Sequence, residues 1–255
     1  MCHSAKSLWT GDAPDVRQPG TPLTDHNTVQ YELPNRHAAA IDLSVVIVFF
    51  LACSAAEPVL DPLLRQGRGL AGVLALAGYQ FACEGLAVLF IMIVRHERPS
   101  SYGIARRNAG KSVALGLALA GIYDLAMSWQ AGARLWIPLR RHSATRMSLA
   151  AGFPKSVAGL AVTVAVWGFA ESFFGVFFSK KLNEALGRRG RGWLSAGTLG
   201  FAFFNGLIHF AIGQGLQGFM TSFASGYAIA VIPAVTENAW GSTLVQTLTE
   251  AVGRL

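Results

Sequence analysis

The sequence predicts an all-α fold: a polytopic transmembrane helical bundle of about seven spans, with six to eight as the bounds. Three observations carry that prediction. Only 14% of the 255 residues are charged, against about 25% in an ordinary soluble domain. The charges gather in short clusters, such as Arg95-His96-Glu97-Arg98 and Arg188-Arg189-Gly190-Arg191. Between the clusters lie apolar runs near the ~20 residues that a helix needs to cross a hydrocarbon core. In lipid a helix satisfies its own backbone, and the period-two alternation of an outer-membrane barrel is absent.

Residues 1–37 are polar and interrupted by prolines and glycines, and read as a flexible N-terminal tail. The remainder, 38–255, reads as the bundle. Its apolar runs fall at about 39–56, 69–94, 113–130, 157–178, 194–213, 217–234 and 239–253. The first and the last two are short, as tilted or partly buried helices can be.

The formal charge is +7 and the pI about 9.7. Most of the lysines and arginines flank the apolar runs, where cytoplasmic retention and anionic lipid explain them without a nucleic-acid partner. Arg95, Arg98, Arg106, Arg107 and Lys111 follow the second run, and Lys180, Lys181, Arg188, Arg189 and Arg191 follow the fourth. Alternation puts both groups at the end of the N-terminus. The expected location is therefore a multi-pass protein of the plasma membrane with its N-terminus in the cytoplasm. The stretch 131–155 conflicts with this, since Arg134, Arg140, Arg141, Arg146 and Lys155 should lie opposite. Either it is interfacial or the span count is off by one. Cys2, Cys53 and Cys83 have neither metal nor disulfide spacing.

Ionisable groups at bilayer depth are costly and face a bundle interior or a wet cavity. The candidates are Glu84, Asp124, Glu171, His209 and Glu250. Trp167, Glu171 and Gly175 align at helical spacing, as do Asn205, His209 and Gly213, and Asn238, Ser242, Gln246 and Glu250 form a stripe. Three such stripes can converge on one cavity, where carboxylate and imidazole could hold a metal or polarise water. Bland readings stand beside this one. A single histidine in a span is more often an interhelical hydrogen bond, Gln80 can pair with Glu84, and Glu250 can be an interfacial acid beside Arg254.

From about residue 100 to 253 the chain resembles the CPBP family. These are the intramembrane endopeptidases that include the type II CAAX prenyl proteases and the bacteriocin-processing enzymes. Ser101-Tyr102-Gly103-Ile104, followed by a basic stretch, resembles the entry to the family core. Ala170-Glu171-Ser172-Phe173-Phe174-Gly175 ahead of Leu186-Gly187 resembles the first motif, a glutamate pair, three residues and an arginine. Asn205-Gly206-Leu207-Ile208-His209 resembles the second, Phe-x-x-x-His. Thr236-Glu237-Asn238-Ala239-Trp240 resembles the turn before the third, with Gln246 and Glu250 on its His and Asn/Asp positions.

The departures are specific. Ala170 replaces the first glutamate, Gly175 the arginine, Asn205 the phenylalanine and Gln246 the histidine. The resemblance implies a divergent intramembrane endopeptidase acting on a membrane-associated polypeptide. Its implied catalytic set is Glu171, His209, Gln246 and Glu250. For an active member it also implies a divalent metal, zinc, held by His209, Glu171 and Glu250. The alternatives are a pseudoprotease that binds a membrane partner and, behind it, a small transporter. A transporter should carry internal repeats, and the halves show no self-similarity.

Overall fold

The structure is a computed structural model that describes residues 26–64, 69–130, 143–187 and 192–250. Every regular element among those residues is helical. The helices are α1 (His26–Leu64), α2 (Gly69–Val94), α3 (Ala109–Gln130), α4 (Ser143–Ala150), α5 (Lys155–Ala185), α6 (Ala196–His209), α7 (Gly215–Thr236) and α8 (Trp240–Glu250). Five helical stretches are long and apolar enough to cross a membrane: Arg36–Leu60, Gly69–Val94, Ala109–Trp129, Lys155–Ala185 and Ala196–Thr236. The first four coincide with the first four apolar runs. The last holds the fifth and sixth runs, which fold back on each other as the α6–α7 hairpin.

The hairpin turns where Ile212 leaves helical geometry and Gly213 and Gly215 take positive φ, +88° and +64°. Glycine adopts that backbone without the Cβ clash that hinders other residues. The two arms are antiparallel. Asn205 Nδ2 donates to Ser222 O at 2.8 Å, Gly206 lies against Phe219, and Gly226 lies against Ala202 and Asn205. The described part of α8 is 11 residues, about 16 Å at 1.5 Å per residue, short of a bilayer.

α1 begins at His26, upstream of its apolar run, while residues 1–25 of the expected tail lie outside the described residues. The conflicting stretch 131–155 contains α4, which runs antiparallel to the start of α5. A Cβ on Gly159 would touch Ser148, and Ala151 lies beside Gly69 at the start of α2. Ala144, Thr145 and Ser148 are buried. Thus α4 dips into the bundle between α2 and α5 by its own length, about 12 Å. Residues 131–142, including Arg134, Arg140 and Arg141, lie outside the described residues.

An aromatic cluster ties α1, α5 and α6 together. Phe50 stacks on Phe174 at 5.3 Å between ring centroids and meets Phe204 edge-on, and Phe178 stacks on Phe204 at 4.9 Å. Such pairs add about 0.5–1.5 kcal/mol beyond the area they bury. Around them lie Val88, Ile91, Phe177, Ile229, Val231, Ile232 and Val245. The outward faces are also apolar, with Val48, Phe90, Ile93, Ile122 and Leu125 all exposed.

The third-motif turn is fastened to the segment that resembles the family entry. Ala239 N donates to Gly103 O at 2.9 Å. Asn238 Nδ2 donates to the carbonyls of Ala105 and Arg107 at 2.7 and 2.9 Å, and Asn108 Nδ2 donates to Thr236 O. Gly103 has φ +81°, and a Cβ there would lie 2.8 Å from Ala239 N. Asn238 therefore precedes α8 and staples backbone, instead of heading the polar stripe that helical spacing suggested.

Candidate functional site

Packing contacts fix the relative depth of the expected site residues. Between α5 and α8, Ser172 Oγ lies 3.2 Å from Thr243 Oγ1. A Cβ on Gly168 would meet Thr247 Oγ1. Four residues back on α5 is thus four forward on α8, so the helices are antiparallel, and Gln246 lies about 3 Å in depth from Glu171. Between α5 and α6, Gly197 packs on Ser179 and Asn183, Gly175 packs on Phe201, and Phe174 meets Phe204. That register brings His209 within about one turn, ~5 Å in depth, of Glu171. On α7, Gly175 also meets Ile229, and Ser242 Oγ donates to Ile229 O at 2.7 Å, which places Ser225 at the same level. The structure thus gathers Glu171, His209 and Gln246 into one layer across three helices around α7. Glu250 closes α8, and its side chain lies outside the described residues.

Backbone irregularities mark these residues. Among the described residues there are three π-helical turns. One, Ala82–Leu86, contains Glu84. Val164–Ala170 ends just before Glu171, and Phe210–Gln214 starts just after His209. Each widened turn shifts helical phase and recurs at functional positions in proteins. The shift alters two alignments read from spacing. Gly213 belongs to the hairpin turn and no longer shares a face with Asn205 and His209. Trp167 is separated from Glu171 by widened backbone.

The layer's chemistry follows from its contacts. His209 is buried, and its Nδ1 donates to Gln214 Oε1 at 3.1 Å. A neutral ring that donates to this amide oxygen carries its proton on Nδ1. Glu171 is half-buried. Gln246 is 2% exposed, and its Oε1 has no hydrogen-bond partner among the described residues. Gln80 Nε2 donates to Glu84 Oε1 at 2.8 Å, the pairing that their spacing suggested. Among the described residues no three His, Cys, Asp or Glu side chains are placed to hold a metal ion. Glu250, the third member of the set that the resemblance implied, has its side chain outside the described residues.

A second cluster, at the end of the bundle that holds the N-terminus of α1, went unrecognised in the sequence. Lys181, counted there among loop cations, lies on α5 and is 3% exposed. Its Nζ donates to Asp42 Oδ2 at 3.0 Å and to Glu97 Oε1 at 2.6 Å. Asp42 Oδ1 also accepts from Arg95 Nε and Nη2 at 3.0 and 2.8 Å. The Tyr102 hydroxyl donates to Glu97, and Lys180 Nζ sits 4.2 Å above the Tyr102 ring. Burial, reinforced by the hydrogen bond to Glu97, pushes the Tyr102 hydroxyl far above its ordinary range and keeps it a donor. The signal available in the sequence was Asp42, an acid inside the first apolar run.

These groups lock α1, α5 and the link after α2 at one end. Charge alternates across the cluster, and each buried carboxylate has a cation, the condition under which buried charges are tolerated. Compared with known proteins, the chain matches no family model, no curated protein and no solved structure.

Proposed function

We propose that the chain is a multi-pass membrane protein with its basic end in the cytoplasm. On this reading it is an intramembrane endopeptidase of CPBP-like plan that acts on a membrane-associated polypeptide. Membrane insertion is supported by the five long apolar helical stretches and by apolar side chains on their outer faces. The single observation that carries the catalytic reading is the common depth of Glu171, His209 and Gln246. In that layer Glu171 takes a proton from the attacking water, and Nε2 of His209 shares the proton work. Gln246, through its amide N–H, stabilises the developing oxyanion. The first-motif change to Ala170 leaves one glutamate to do this work.

A non-catalytic partner-binding protein is the second reading. It is favoured by Gln246 at the position that the resemblance gives to a histidine.

Cleavage of membrane-tethered polypeptides by the protein in liposomes, read by mass spectrometry, separates the two. Cleavage that falls at least about 100-fold in Glu171→Gln and His209→Ala supports the catalytic reading. No cleavage by the folded native protein, or cleavage unchanged in both variants, sinks it.

A further inference from the structure

Between Arg191 and Glu237 the chain contains no Asp, Glu, Lys or Arg. This charge-free stretch forms the α6–α7 hairpin, whose only described titratable groups are His209 and Tyr227. Its tip is uncharged, and beside the exposed amides of Gln214 and Gln217 it turns large apolar side chains outward: Phe210 is 54% exposed, Ile212 55%, Leu216 70% and Met220 58%. A connecting loop in water normally carries polar and charged residues, and an apolar patch of this kind marks a surface that meets another apolar phase.

Length identifies that phase. The other end of α7 is pinned at the basic end, where Asn108 holds Thr236 O and Glu237 is exposed with φ +59°. α7 has 22 residues, so its far end lies about 33 Å from Thr236. Crossing from water to water takes about 40–45 Å, of which ~30 Å is hydrocarbon. With exposed Glu237 among head groups or in water, the turn falls short of the far aqueous surface. α6, at 14 residues, reaches no further.

We infer that the tip, Phe210–Leu216, is seated in lipid at the acyl–head-group boundary of the far leaflet and presents no aqueous loop. This inference rests on the membrane reading given above. It gives His209, at the base of the tip, an approach from the bilayer rather than from far-side water. The substrate class it favours is a lipid-embedded apolar segment, because the exposed side chains nearest His209 along the tip, Phe210 and Ile212, are apolar.

Nitroxide labels test the inference in liposomes, in a chain whose three native cysteines are replaced by alanine. Labels are placed singly at Ala211→Cys, Leu216→Cys and Glu237→Cys. The expected result at 211 and 216 is greater collision with oxygen than with a water-soluble nickel chelate, with the order reversed at 237. Nickel access at 211 and 216 equal to that at 237, in a protein that resists alkaline extraction, overturns the inference and leaves the membrane reading standing. Release of the protein by alkaline extraction overturns both. Should the alanine background not fold, the same labels are read in the native chain against an otherwise identical labelled native baseline.

Discussion

Lys181→Met is expected to destabilise the folded protein by about 3 kcal/mol, the low end of what removing one partner of a buried ion pair costs. The substitution keeps a long side chain in place and removes only the charge. It leaves Asp42 with Arg95 alone and Glu97 with Tyr102 alone, and those remaining partners keep the loss from being larger. Adding Asp42→Asn should recover part of the loss, because the uncompensated carboxylate is then gone. A double-mutant cycle in mixed micelles, read by unfolding, measures that coupling. Arg95→Met should cost less than Lys181→Met, because the Arg95 side chain is 39% exposed and water already screens its pair. Equal stability of Lys181→Met and the native protein would remove the cluster from the structural account.

Gly241→Ala is the second large effect. A Cβ at Gly241 would lie 2.0 Å from Ser112 O, and one at Gly116 would lie 2.5 Å from Gly241 O. Backbone faces backbone at this crossing of α3 and α8, so no side chain can rotate away. Gly241 N also donates to Ser112 Oγ, which donates on to Asn238 O. The added methyl therefore separates the helices and breaks those bonds, at a cost of about 3 kcal/mol, the upper part of the overpacking range. Gly121→Ala, on α3 with nothing within 4 Å of its Cβ, is the control. It should be neutral or stabilising by up to about 1 kcal/mol through helix propensity. Thermal unfolding of the three proteins in one detergent checks the contrast. A harmless Gly241→Ala would mean that α3 and α8 do not cross there.

That crossing was not legible in the sequence, because spacing along one helix does not name the partner helix. The same limit applies elsewhere. Hydropathy located α1, α2, α3 and α5 well, since a long apolar run has one way to satisfy its backbone in lipid. It could not show that two runs fold back on each other through Gly213 and Gly215, nor that the polar stretch before Lys155 inserts α4 between α2 and α5. Glu171, His209 and Gln246 were singled out by residue type and spacing, and packing places them in one layer. A widened turn before Glu171 contains Trp167 and another after His209 takes Gly213 out of helical geometry, and no residue type announces such a turn. Lys181 was misplaced because a lysine next to a basic loop reads as solvated. Only the tertiary positions of Asp42 and Glu97 reveal that it is buried.

The shared depth of Glu171 and Gln246 is the centre of the account, and it depends on the register of α5 against α8. Disulfide trapping in native membranes tests that register, using Ser172→Cys with Thr243→Cys, whose oxygens lie 3.2 Å apart in the native structure. Rapid cross-linking of this pair is expected, and little from the pairs Ser172–Thr247 and Gly175–Thr243, each displaced by about a turn. Preferential cross-linking of either displaced pair would move Gln246 out of the Glu171 layer and contradict the account.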